Sequence, residues 1–321
     1  MFSRDVLRID PRQVAEQIEA NTRRVVLGDL RRRGAVVGMS GGIDSSVVAA
    51  LCARALGRER VAGLLMPERD ASSDALRLGR MFAEQLGIQY AVEDISGALA
   101  ALGCYERQNE AIRMIFPEYA EGWRCKLVLP SLLKGDRLNV ARLTVSDPDG
   151  HERSSRMPPA AYLQIVAATN LKQRTRMITE YYHADRLHFA VAGTPNRVEY
   201  DQGFFVRHGD GAADFKPIAH LYKTQVYALA EHLEVPEEIL ARPPTTDTYS
   251  LPQTQEEFYF ALPYPEMDLC LWAVDHRVPA REVGTVVGLT EEQVERVFRD
   301  IEAKRRVSRY LHNVPTPLGQ S

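Results

Sequence analysis

Short apolar runs alternate with helical patterns over the first two thirds of the chain. The apolar runs have the length of buried strands and lie at 35–38, 60–67, 89–95 and 187–192. Amphipathic or apolar helical patterns surround them, at 10–33, 45–56, 74–86, 102–124, 162–182 and 223–232. This rhythm predicts an α/β fold, a doubly wound parallel sheet with helices on both faces.

Two further segments depart from that rhythm. Residues 125–158 contain an alternating stretch, a strong turn at 146–150 and a second stretch, so they predict an inserted hairpin or lid. A surface decoration without function is the alternative. The last helical patterns predict a C-terminal cap, so we divide the chain into a main domain, 1–270, and a helical extension of the same domain, 271–321.

Composition limits the class of protein. The formal net charge is −3 and 45% of the 321 residues are hydrophobic, which describes an ordinary globular chain without the basic excess of a nucleic-acid binder. No apolar run approaches the ~20 residues of a membrane span, and the N-terminus lacks a signal pattern. The four scattered cysteines favour buried thiols over a zinc site or disulfides. We expect a cytoplasmic protein that binds neither membrane nor nucleic acid.

The turn after the first predicted strand is typical of a phosphate site. Residues 40–46 read Ser-Gly-Gly-Ile-Asp-Ser-Ser and open a helical pattern, so free backbone N–H groups and two glycines face an incoming anion. The spacing excludes the P-loop and the dinucleotide-binding turn. An ordinary strand-turn-helix corner is the alternative.

Charged groups collect in three later segments. Helix 162–182 holds three cations within five residues, which in isolation would be a solvated face. The loop beyond strand 187–192 suits Mg²⁺, although a glycine-rich surface loop with incidental acids would look similar. Lys223 lies near a helix start, where it can neutralise a phosphate. The cations are Lys172, Arg174 and Arg176, and the acids of the loop are Glu199, Asp210 and Asp214.

Together these segments resemble the ammonia-dependent NAD synthetases, members of the N-type ATP pyrophosphatase superfamily. The resemblance covers roughly residues 15–270. The first matching segment alone indicates the superfamily, whereas all of them in order are specific. They are 40–45, 170–177, 193–196 with Glu199, and 209–214 followed by 221–224. The resemblance implies an adenine nucleotide alpha hydrolase-like fold.

The resemblance also implies a two-step ligase reaction. The nicotinate carboxylate of deamido-NAD attacks the α-phosphorus of ATP to give an acyl-adenylate and pyrophosphate, and ammonia then displaces AMP to leave the amide of NAD. Mg²⁺ is the implied cofactor, and a homodimer with the dinucleotide near its interface is the implied assembly. Since nothing in the chain resembles a glutaminase domain, we expect free ammonia, unless a separate protein delivers it.

The site residues are carried over from the same resemblance. The implied catalytic residues are Asp44, Asp210, which would position or deprotonate ammonia, and Lys223. ATP and pyrophosphate would bind at Gly38, Ser40, Gly41, Gly42, Asp44, Ser45, Ser46, Leu65, Met66, Thr194, Lys223 and Thr245. The acid would bind at Asn170, Lys172, Arg174 and Asp214, and Mg²⁺ at Asp44 and Glu199.

Three segments depart from the family's pattern: 254–264, 310–312 and the insertion 125–158. All three fall on the side of the acid, whereas the ATP side matches. An amide-forming, adenylating ligase of the same family that acts on a different carboxylate is therefore the alternative. Sulfur transfer, as in tRNA-thiolating relatives, would need paired catalytic cysteines.

The C-terminal region also allows an interpretation as a different class of protein. Residues 278–294, with basic 304–306 behind them, resemble a helix-turn-helix, which would indicate DNA binding. We favour a helical cap with a charged face, because the net charge is negative and the same helix-glycine-helix order closes the NAD synthetases.

Overall fold

The computed structural model describes residues 2–129, 141–245, 248–260, 262–316 and 318–319. The strands are β1 (Ala35–Gly38), β2 (Val61–Leu65), β3 (Gln89–Val92), β4 (Arg124–Val128), β5 (Arg142–Ser146), β6 (Glu152–Arg156) and β7 (Ala190–Ala192). The helices are α1 (Pro11–Arg23), α2 (Ile43–Leu56), α3 (Ser73–Leu86), α4 (Ser96–Ala101), α5 (Cys104–Arg113), α6 (Pro159–Leu187), α7 (Arg197–Gln202), α8 (Lys223–His232), α9 (Glu237–Leu240), α10 (Tyr264–His276), α11 (Ala280–Val287) and α12 (Glu291–His312).

The central sheet is parallel and has the order β3-β2-β1-β7. The strands β1, β2 and β7 are apolar and almost wholly buried, because helices cover both faces of the sheet. One face packs on α2 and α3, with α1 and α8 in the same apolar core, and the other packs on α6, with α4 and α5 in its core. The predicted doubly wound α/β fold is confirmed.

The strand order reverses beside β1, which fixes where a ligand binds. The chain moves outward from β1 to β3 and returns to the opposite side of β1 with β7. In sheets of this kind the ligand crevice lies beyond the carboxyl ends of the strands at such a reversal. The loops after β1 and β7 therefore flank one crevice.

The predicted helix at 102–124 is wrong in its extent. Gly103 has a φ of +68°, so it separates α4 from α5, and α5 ends at Arg113. By Arg124 the chain is already extended as β4. The alternation of polar and apolar residues in 124–127 was the available signal for this strand.

The insertion forms an antiparallel sheet, β4-β5-β6. The strands β5 and β6 are the predicted hairpin, and residues 130–140 of the predicted insertion lie outside the described residues. Leu143 and Val145 of β5 pack with Ile165 of α6 and with Tyr249. The inserted sheet therefore packs with α6 and Tyr249 in one apolar core.

The last three helices form the predicted cap. Val283, Val287, Val294 and Ile301 from α11 and α12 are buried against α10, so this pair of helices packs its apolar faces inward. The predicted domain boundary at 270/271 falls inside α10, and the division into two parts stays a prediction. Within the described ranges, no helix has both the length and the apolar character needed to cross a bilayer.

Candidate active site

The loop after β1 is a tight turn at the start of α2. Gly41 has a φ of +72°, and a Cβ at this position would lie 2.4 Å from the carbonyl oxygen of Ala75. The hydroxyls of Ser45 and Ser46 donate to the carbonyl oxygen of Gly42, at 3.0 and 2.9 Å. The turn is thus held by its own serines, with the N-terminus of α2 directed toward the crevice.

A cavity of about 500 Å³ fills the crevice, a size that suits a small-molecule ligand. Its walls come from the loop after β1, the end of β2, one face of α6 and the loop after β7. Most of the residues predicted from the sequence line it: Gly38, Ser40, Gly42, Asp44, Ser45, Leu65, Met66, Asn170, Thr194, Glu199, Asp210, Lys223 and Thr245.

Five predicted residues do not line this cavity. Gly41 and Ser46 shape the turn itself. Asp214 accepts from the backbone N–H of Val191 at 2.8 Å and from the Tyr181 hydroxyl at 3.2 Å, so it ties its loop to β7. The other two are Lys172 and Arg174.

Lys172 cannot serve as predicted in this geometry. Its side chain is fully buried, and its ammonium group donates to Glu68, Asp70 and the carbonyl oxygen of Thr248. An ammonium group has three hydrogens, so none is left for a substrate. Arg174 lies beyond the cavity wall and donates from Nε to the carbonyl oxygen of Arg207 at 3.4 Å.

A buried lysine and two carboxylates meet at the base of the cavity. The Lys223 ammonium contacts Oδ2 of Asp44, and Oδ1 of Asp44 accepts from Nδ2 of Asn196 at 3.2 Å. The backbone N–H of Asn196 donates to Oε2 of Glu199 at 3.1 Å, which begins α7 with a capping box. Burial raises the pKa of Glu199, and the neighbouring Asp44 carboxylate adds to this. The site therefore combines one cation with two acidic side chains.

Asp268 of α10 positions Lys223. Its carboxylate accepts from the backbone N–H groups of Lys223 and Thr224, at 3.3 and 2.7 Å, where α8 begins. The ring of Tyr264 lies 5.1 Å from the ammonium. No local sequence signal identified Asp268, because 45 residues separate it from Lys223.

Two more carboxyl groups face the cavity from α6 and from the loop after β7. Asp210 accepts from the backbone N–H of Val206 at 2.8 Å, and burial raises the pKa of Asp210 to about 6. Burial, and then the charge of Asp210, raise the pKa of Glu180 to about 8. A Cβ on residue 38 would come within 2.2 Å of Oε1 of Glu180, so Gly38 leaves room for this carboxyl group. Glu180 was missed at the sequence level.

Comparison with known families decides the class of the protein. A family model described as NAD synthase matches residues 15–116 and 147–309. The chain belongs to the NAD synthase family. The unmatched stretch, 117–146, contains β4 and β5, so two of the three inserted strands lie outside what this family model describes.

Individual proteins are similar over nearly the whole chain. The NH(3)-dependent NAD(+) synthetase of Mesorhizobium japonicum is 62% identical over 97% of both chains. The solved NH3-dependent NAD synthetase of Campylobacter jejuni subsp. jejuni is 22% identical with a TM-score of 0.63, covering 97% of this chain and all of the other. The solved NMN synthetase of Francisella tularensis is 20% identical with a TM-score of 0.62, covering 98% and 100%. These two structures establish the fold.

Two of the three segments that depart from the family pattern line the cavity, whereas 310–312 does not. Leu127, Leu129 and Ala141 come from the inserted sheet and its flanks, and Gln255, Phe258 and Tyr259 come from 254–264. The inserted sheet is tied to the neighbouring segment, because the backbone N–H of Cys125 donates to the Ser250 hydroxyl at 3.0 Å. The insertion is therefore part of the wall of the site in this member of the NAD synthase family.

Proposed function

We propose that the protein is an ammonia-dependent NAD synthetase, which adenylates the nicotinate carboxylate of deamido-NAD with ATP and then amidates it with ammonia. The observation that supports this most directly is one cavity that combines a phosphate loop, the Lys223–Asp44 pair and the acid Asp210. The 62% identity to an NH(3)-dependent NAD(+) synthetase, over 97% of both chains, supports the choice of nitrogen source.

ATP is the co-substrate, and we assign its triphosphate to the turn at 40–46. The N–H groups at the start of α2 would hold the pyrophosphate that leaves, and Thr194 and Thr245 line the same cavity. Adenine would lie at the end of β2, against Leu65 and Met66. Lys223 is already fixed by Asp44 and Asp268, so it can stabilise developing phosphoryl charge without reorganisation.

Asp44 and Glu199 fit a magnesium ion. Both carboxylates contact Asn196, and among the described residues Glu199 uses only Oε2 for a hydrogen bond. Mg²⁺ is commonly bound by one or two carboxylates together with substrate phosphates and water. When bound, it would neutralise charge on the phosphate oxygens. Burial, and then the charge of Asp44, raise the pKa of Glu199, and a bound cation would lower it.

We assign the acid substrate to the α6 side of the cavity, close to an interface with a second copy of the chain. Asn170 lines the cavity, whereas Arg174 lies toward the helix face that carries Ile178 and Tyr182. Ile178 and Tyr182 are 62% and 63% exposed, which is unusual for large apolar residues at successive i, i+4 positions. A homodimer would cover this face and bring Arg174 and Asp214 close to the interface.

Asp210 is the proposed acceptor of the ammonium proton. Ammonium must lose a proton before nitrogen can attack the acyl-adenylate, and the raised pKa of Asp210, about 6, makes it a stronger base than an ordinary aspartate. The carboxyl carbon then gains nitrogen and loses AMP.

The cytoplasmic location stays a prediction.

The activity is tested by a product assay. Purified protein with ATP, Mg²⁺, ammonium chloride and deamido-NAD should form NAD, AMP and pyrophosphate in equal amounts. Nicotinate mononucleotide, which has the same carboxylate without the AMP half, is the matched comparison. AMP formed with another acid while deamido-NAD remains inert would establish the alternative ligase, and ADP as product would contradict adenylation.

A further inference from the structure

Lys172 is a buried cation behind the wall of the catalytic cavity. It is fully buried, and its ammonium donates to Oε1 of Glu68 at 2.9 Å, Oδ2 of Asp70 at 2.8 Å and the carbonyl oxygen of Thr248 at 2.9 Å. A charge out of water is tolerated only when it is paired and hydrogen-bonded, and this one is fully satisfied. The three acceptors come from two separate segments of the chain.

Both segments are walls of the cavity. Glu68 and Asp70 belong to the β2–α3 loop, residues 66–72, which contributes Pro67, Ala71 and Ser72 to the lining. Thr248 also lines the cavity, and Lys172 itself lies on α6 between the lining residues Asn170 and Gln173. One ammonium group therefore joins three walls from behind.

The contacts of the β2–α3 loop converge on this cation. Oε2 of Glu68 accepts from the Tyr105 hydroxyl at 2.9 Å and from the backbone N–H of Asp70 at 3.2 Å. The Arg69 guanidinium lies 3.7 Å from the centre of the Tyr105 ring. Burial opposes the ionisation of Asp70, but the charge and hydrogen bond of Lys172, with help from Arg69, hold the pKa of that carboxyl below its usual value. Asp70 is thus anionic at neutral pH.

The position of this loop affects the phosphate turn. The helix α3 follows the loop directly, and its Ala75 carbonyl oxygen occupies the space beside Gly41. Ser72 and Ala75 line the cavity together with Ser40 and Gly42. A shift of the loop would therefore move the wall that faces the proposed triphosphate.

We propose that Lys172 is a positioning residue for ATP, which holds the β2–α3 loop and the segment at Thr248 in the arrangement that closes the nucleotide site. This inference rests on the proposed function only in naming ATP as the ligand. It replaces the sequence-based role of Lys172 as a contact to the acid. Lys172 contributes to ATP binding through preorganisation, because the loop is already ordered and no entropy is lost in ordering it when the nucleotide binds.

The test uses the full-length protein and ATP with Mg²⁺, without the acid substrate. Asp70→Asn removes the negative charge of one loop contact and leaves the Glu68–Lys172 pair in place, so this variant is expected to fold. Lys172→Met removes the whole junction. We expect Asp70→Asn to raise the Kd for ATP by about tenfold and to accelerate tryptic cleavage at Arg69, with saturating ATP restoring protection. Asp74→Asn, which changes an exposed carboxylate at the start of α3, is the matched control and should change neither quantity.

The outcomes separate the inference from the proposed function. An unchanged Kd for ATP in Asp70→Asn would overturn the inference, whether or not the cleavage rate changes. In the steady state the variant should show a raised KM for ATP with a kcat near that of the unchanged protein, and a lowered kcat at an unchanged KM would also overturn it. Because ATP binding is measured without the acid, absence of NAD formation would count against the proposed function alone.

Discussion

Lys223 is the side chain on which the proposed chemistry depends most. It is buried, and its ammonium is fixed by the carboxylate of Asp44 while its backbone is fixed by Asp268. Lys223→Met should lower the rate of ATP–pyrophosphate exchange by about 10²–10³-fold, the usual loss for one preorganised electrostatic group. Melting temperature must be measured alongside. A well-folded variant with near-normal exchange would remove Lys223 from the mechanism.

Glu180 makes a prediction about pH and stability. Its pKa is raised to about 8 in the folded protein, so the unfolded chain binds fewer protons between its ordinary pKa and pH 8. Below the pKa that Glu180 has in the unfolded chain, its neutral form contributes fully to the free energy of unfolding. This contribution is lost as the pH rises from that pKa through about 8, by up to about 1.4 kcal/mol per pH unit. Glu180→Gln should therefore gain stability relative to the unchanged protein from pH 5 to pH 8.

Urea denaturation at several pH values measures this gain. Asp94→Asn, at an exposed position whose pKa is lowered instead, is the control and should not gain stability with rising pH. An equal difference between Glu180→Gln and the unchanged protein at pH 5 and pH 8 would show that Glu180 is ionised in the fold.

The inserted sheet is the element whose role was left open by the sequence. Leu143 of β5 is buried among Val145, Ile165 and Tyr249, so Leu143→Ala should lower the free energy of unfolding by about 2–5 kcal/mol. Leu163→Ala on the exposed side of α6 is the control, with an expected change within about 0.5 kcal/mol. Equal small losses for both variants would mean that the sheet is a surface decoration.

The elements that sequence predicted well are those with short-range signals. The run at β1, the Ser-Gly-Gly turn and α2 follow one another within about twenty residues, and each has its own local pattern. The predicted helix at 102–124 failed because Gly103 and the turn before Arg124 broke a pattern that looked continuous. Contacts such as Asn196–Asp44 and Asp268–Lys223 join distant segments, and no local rule specifies them.

At the scale of the whole molecule, the exposed apolar face of α6 predicts the assembly. Ile178→Glu together with Tyr182→Glu should convert the proposed homodimer to a monomer, because two charges would enter an apolar interface. Light scattering after size-exclusion chromatography measures the mass. Leu102→Glu, at an exposed apolar position on another surface, is the control. A dimer that persists with both glutamates would place the interface elsewhere.

The two substrates depend on different parts of the molecule, which explains where sequence reasoning reached its limit. The ATP side is formed by the turn after β1, β2 and α8, all within the matched family regions. The opposite wall includes Leu127 and Ala141, which lie in the unmatched stretch, and Phe258 from a segment that departs from the pattern. Sequence therefore predicted adenylation more firmly than the acid that is adenylated.

The central claim is that one oxygen of the nicotinate carboxylate is transferred to AMP, and isotope labelling tests this directly. Deamido-NAD with ¹⁸O in its nicotinate carboxylate should give AMP with one ¹⁸O and unlabelled pyrophosphate, because that oxygen attacks the α-phosphorus and leaves with AMP when ammonia displaces it. The expected product is NAD with the amide nitrogen from ammonium. Unlabelled AMP, or ADP in place of AMP, would contradict the acyl-adenylate account.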